Sequence, residues 1–182
     1  MSYNGSDDPY SYVQQYVAHL ANLVANGTIT DLQALELILN ESIFVIAGGD
    51  MRLGLTYAAS AFYRSQLDDF NNPFNPLDFQ DSSYTRLTDN RFGVTGFNEF
   101  YYSDATGNSN QLQHFIGEAA LTASYNSQFI GELGALFNDS GTDGIATSDR
   151  NLGNLAAWWA TSDVTQENLS LVIEMIAEGT TP

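Results

Sequence analysis

The chain has 182 residues, of which 43% are apolar and 13% aromatic, enough to bury a core and to exclude wholesale disorder or a low-complexity scaffold. Its 22 acidic residues against 5 basic ones give a net charge of −17, so a nucleic-acid backbone or an anionic membrane surface would repel it. That length predicts one globular domain over residues 1–182.

Asp8 before Pro9 is a helix start, a capping side chain followed by a residue that suits the first turn. Behind it Tyr10, Val13, Tyr16, Val17, Leu20, Leu23 and Val24 recur at helical spacing until Asn26-Gly27 stops the pattern. A second helix begins near Thr30 or Asp31 and carries Leu32, Leu35, Ile38 and Leu39. The apolar run from Ile43 to Ala47 before Gly48-Gly49 fits the end of a buried helix or a short buried strand, and helix is the favoured reading. A third helix is predicted over 50–66.

From about 67 to 108 the chain turns irregular, with Pro73, Pro76 and many Asn, Asp and Ser residues. It also holds Phe70, Phe74, Phe79, Tyr84, Phe92 and Tyr101, so this long insert is expected to pack on the helices, with a short hairpin around 92–102. Helices return over about 109–125, 127–137, 148–161 and 165–177. The predicted fold is an all-α orthogonal bundle of six or seven helices with one long, aromatic-rich irregular insert.

Two residue types are missing. Without Cys there is no disulfide, thiolate metal site or cysteine nucleophile, and without Lys there is no Schiff-base or P-loop lysine chemistry. The first ten residues lack the basic and apolar regions of a signal peptide, and no apolar stretch approaches the roughly 18 residues a membrane helix needs. The expected location is cytoplasmic, or outside the cell by a route that reads no cleavable signal peptide.

The segment around His114 carries the most chemistry. Leu112, Phe115, Ile116, Ala119 and Ala123 make one apolar stripe, and Gln111, His114, Glu118, Leu121 and Tyr125 lie on the opposite side. Such a helix is expected to be covered on both sides, which stacks His114 and Glu118 four apart in a shielded place. There a carboxylate can orient an imidazole, shift its pKa or share a metal with it; equally, the two can simply satisfy each other in the core. Glu132 sits between Gly131 and Gly134 in an apolar helix, and the two glycines suggest a close approach. Asp149 follows the capping Ser148 and shares a face with Gly153, Ala156 and Ala160, a groove into which another helix can press.

The succession Gln113-His114, Glu118, Gly131-Glu132 and Asp149-Arg150-Asn151-Leu152-Gly153 resembles all-α bacterial domains of unknown function and the C-terminal toxin domains of polymorphic secretion systems. The resemblance covers roughly the last seventy residues. Gln113 replaces the family's Arg or Asn, no His precedes Glu132, and the Asp-Asn-Gly segment is more compact. What the resemblance implies is a helical core holding a polar cluster of His114, Glu118, Glu132, Asp149 and Asn151, with hydrolytic activity. His114 would be the base, Glu118 its orienting partner, and Glu132 or Asp149 a second acid or metal ligand.

The loop Asn138-Asp139-Ser140-Gly141-Thr142-Asp143-Gly144 has spaced oxygens. It fails the EF-hand pattern, because Gly141 falls at an early ligand position and Arg150 where the bidentate Glu belongs. It reads as an acidic turn, with Asp139 and Asp143 the ligands of calcium or any other divalent metal bound there. No cofactor motif is present. The aromatic insert and Trp158-Trp159 suit a glycan or protein partner, and the competing reading of the whole chain is a non-enzymatic structural or binding protein.

Overall fold

The structure is a computed structural model and describes residues 2–62, 92–102, 111–127, 147–162 and 165–182. Among them are six α-helices and no strand, so the fold is all-α. The helices are α1 (Pro9–Ala25), α2 (Asp31–Leu39), α3 (Met51–Ser60), α4 (Gln111–Tyr125), α5 (Thr147–Ala160) and α6 (Gln166–Glu178). Of the helix expected over 127–137, residues 128–137 lie outside the described residues, as do residues 63–66 at the end of the expected third helix.

Local chemistry starts and stops these helices. The Asp8 carboxylate accepts from the Ser11 N–H at 2.9 Å with Pro9 at the first helical position, and Thr30 and Gln33 form a reciprocal capping box on α2. Asp50 caps α3 through the Leu53 N–H, and Thr165 caps α6 through the Asn168 N–H. α6 ends on Gly179 in the left-handed region, φ 74°, where a side chain would be strained.

Between α2 and α3 the apolar run is neither strand nor α-helix. Residues Asn40–Ile46 form a π-helix, seven residues of wider winding that hold a 3.1 Å bond from the Ala47 N–H to the Ser42 carbonyl. Gly54 of α3 lies on this turn so closely that a Cβ there would stand 2.6 Å from the Ile43 Cα and 2.9 Å from the Ser42 carbonyl oxygen. Tyr12 of α1 pins the same turn by donating to Glu41 at 2.8 Å; burial, then the Glu41 carboxylate, pushes its phenol well above the ordinary range.

The core joins Val13 and Val17 of α1, Leu35, Ile38 and Leu39 of α2, Leu55 of α3, Phe115 and Ile116 of α4, Leu152 and Trp159 of α5, and Val172 and Ile176 of α6. α4 packs chiefly against α5 and α3. As the sequence predicts, the small face of α5 is buried, with Gly153, Ala156 and Ala160 all covered.

Residues 92–102 do not form the expected hairpin. They run as extended chain and turns into a short 3-10 turn, Glu99–Tyr101, and their hydrogen bonds go to helix ends instead of to a second strand. The Asp31 carboxylate, 1% exposed at the start of α2, accepts from the Gly93 N–H at 2.7 Å, the Thr95 N–H at 2.8 Å and the Thr95 hydroxyl at 2.6 Å. The Leu32 N–H donates to the Thr95 carbonyl, the Asn98 N–H to the Ile176 carbonyl, and the Tyr101 hydroxyl to the Thr180 carbonyl. One buried carboxylate on a helix N-terminus thus anchors a segment more than sixty residues away.

Candidate functional site

α4 is covered on both sides, and its polar side is buried apart from His114, which is half-buried although its Nε2 atom is not exposed. Gln111, His114, Glu118 and Thr122 are three, four and four apart, so they run up a single face of the helix. Glu118 is 3% exposed and Thr122 0%. About three turns of helix therefore carry polar groups into a region that would ordinarily be filled with Leu or Ala.

The facing helix adds a carboxylate. Gln111 Nε2 donates to Asp149 Oδ1 at 2.6 Å, across the start of the α4–α5 contact. Asp149 is close enough to act on the His114 imidazole, pulling its pKa up, but burial acts more strongly, and the net result is a pKa below the ordinary value of 6.5. His114 is therefore neutral near pH 7, with a carboxylate at hand to stabilise it once protonated. Such a ring accepts a proton at one nitrogen, the property a general base needs.

Several polar atoms along this interface have no hydrogen-bond partner among the described residues: Gln111 Oε1, His114 Nε2, Thr122 Oγ1 and, on α5, Trp159 Nε1. Trp159 reaches α4 through its ring, 5.7 Å from that of Phe115. An unsatisfied buried polar group costs about 1–3 kcal/mol, so the polar stripe weakens the fold that contains it.

The sequence-predicted site residues divide into three sets. His114 and Asp149 interact across the α4–α5 contact, and Glu118 is buried one turn beyond His114 on the same face of α4. Asn151, only two residues beyond Asp149, points elsewhere: its Nδ2 donates to the Phe100 carbonyl at 3.1 Å, which ties α5 to the 92–102 segment. Glu132, Asp139 and Asp143 lie outside the described residues. Among the described residues no three His, Asp or Glu side chains gather as a metal site. His19, on α1, is exposed.

Two features escaped the sequence reading. Thr122 extends the polar stripe by one turn beyond Glu118, and its four-residue step was the available signal. The second is a cleft of about 330 Å³ lined by Tyr101, Asn151, Asn154, Trp158 and Thr181. Its signal was the spacing of Asn151, Asn154 and Trp158, which places all three on one side of α5.

Compared with known proteins, the chain matches no family model, no curated protein and no solved structure. No helix among the described residues is long and apolar enough to cross a membrane.

Proposed function

We propose that this protein is a hydrolase of the bacterial effector or toxin-like type, acting on a glycan or another polymer through the buried polar face of α4. The supporting observation is the stripe of Gln111, His114, Glu118 and Thr122 set against Asp149, kept inside the bundle although it costs stability. In this reading neutral His114 takes a proton from the attacking water at its free Nε2. Asp149, fixed by Gln111, stabilises the imidazolium that results, and Glu118 on the same face supplies the second carboxyl group. Removing the base of such a reaction costs roughly 10²–10⁴ in rate. The test is hydrolysis of bacterial cell-wall and storage polysaccharides by the purified chain, with His114→Ala and Glu118→Ala as controls. Activity that falls by that factor in both folded variants supports the reading, and activity indifferent to both overturns it.

A second reading, a non-enzymatic binding protein, is favoured by the cleft on the other side of α5. It predicts ligand binding without turnover, and no effect of His114→Ala on that binding.

A further inference from the structure

α5 is two-sided. Asp149, Gly153, Ala156 and Ala160 turn to the bundle, and Asn151, Asn154, Leu155 and Trp158, at spacings of three, four and seven, turn to the cleft. The opposite wall is held firmly, since the Tyr101 hydroxyl donates to the Thr180 carbonyl and the Asn98 N–H to the Ile176 carbonyl. A cleft with hydrogen-bonded walls is preorganised, which lowers the ordering cost of binding.

Its chemistry selects a ligand class. In a chain of net charge −17, the side chains that line the cleft, Leu155 and Pro182 among them, are all uncharged, so none of these side chains is an ionic partner for a ligand. Asn151 must present its Nδ2 to the Phe100 carbonyl, which leaves Oδ1 as a fixed acceptor. Asn154 is exposed and its side chain makes no hydrogen bond among the described residues, so its amide offers both donors and acceptors to a ligand. Trp158 is half-buried, with an indole that is apolar in face and polar at one edge. A volume of about 330 Å³ is at the small end for ligand pockets.

We infer that this cleft is a subsite for a neutral saccharide, one or two rings in size, with the apolar C–H face of a sugar on Trp158 and its hydroxyls on Asn151 and Asn154. Sugars combine those two surfaces, and each has a counterpart here. Binding at this place does not require His114, so it is separable from the hydrolytic reading.

The experiment is titration of the intact chain with glucose, N-acetylglucosamine and maltose, read by calorimetry and by tryptophan fluorescence. The chain has two tryptophans and Trp159 is 1% exposed, so a fluorescence response reports on Trp158. The expected result is saturable binding of at least one sugar at millimolar concentration or below. Trp158→Ala should abolish it, Asn154→Ala should weaken it roughly tenfold, and His114→Ala should leave it intact. The Asn154 side chain is exposed and makes no hydrogen bond among the described residues, so its variant is expected to stay folded and informative even if Trp158→Ala does not. Absence of saturable binding to all three sugars overturns the inference, as does binding undiminished in both cleft variants. So does binding lost only in a folded His114→Ala chain, which would put the sugar at the α4 stripe.

Discussion

Asp31→Ala should be among the most damaging single substitutions in this chain. The carboxylate is 1% exposed and receives three hydrogen bonds of 2.6–2.8 Å, from the Gly93 N–H, the Thr95 N–H and the Thr95 hydroxyl. The Thr95 hydroxyl survives the truncation with a partner, since its oxygen also accepts from the Asp31 N–H at 2.9 Å. The two backbone N–H groups lose their acceptor, and at about 1–3 kcal/mol each they account for most of the loss. Removing a carboxylate from the first turn of α2 adds about 0.3–1 kcal/mol. The expected cost is about 3–5 kcal/mol, a large part of the roughly 5–15 kcal/mol that holds a typical domain. Urea unfolding followed by circular dichroism measures it, and Asp31→Asn should come close to Ala, because an amide nitrogen meets donors on one side. A cost below about 1 kcal/mol with an unchanged denaturant slope would refute the view that this carboxylate anchors residues 92–102.

Two further substitutions test other parts of the fold. Gly54→Ala puts a methyl group 2.6 Å from the Ile43 Cα, a backbone atom that cannot swing aside, so it should cost at least the roughly 1–3 kcal/mol of ordinary overpacking, seen as a lowered melting temperature. A neutral melt would mean that α3 can slide off the π-helix freely. His114→Leu tests the protonation state. The folded pKa is depressed, so below about pH 6.5 the unfolded chain takes up a proton that the folded one refuses; native stability is then full above that pH and falls as pH drops, by at most about 1.4 kcal/mol per pH unit. Subtracting the variant's urea stability from the native chain's between about pH 5 and pH 7.5 should isolate that limb from the carboxylates common to both. Parallel curves would mean that His114 is not held neutral by burial.

Legibility in the sequence followed the range of the interaction. α1 and α6 were readable nearly to the residue because Asp8-Pro9, Thr165 and Gly179 act within one turn of their own helices. The π-helix was not, since an unbroken apolar run suggests burial throughout, whereas only Ile43 of it is fully buried, Val45 is 48% exposed, and nothing in the run says that the glycine of a later helix sits on its backbone. Asp31 read only as a helix start, its partners lying more than sixty residues away. At the candidate site the one-helix part was legible: the face shared by His114 and Glu118 is a matter of counting. That Asp149 joins them and Asn151 does not depends on how α5 is rotated against α4, which Gly153 and Ala156 set by letting the helices come close.

One contact bears on how the chain could change length. Phe62, at the end of α3, meets Phe92 with ring centroids 6.1 Å apart, although the two are thirty residues apart in the sequence. In the unfolded chain the same pair is separated by thirty residues, and folding has to close that loop. Doubling the length of such a loop adds only about 0.6 kcal/mol of closure entropy. The entropy of joining the two rings therefore depends only weakly on how many residues separate them, and an insertion between Phe62 and Phe92 would leave that part of the stability nearly unchanged.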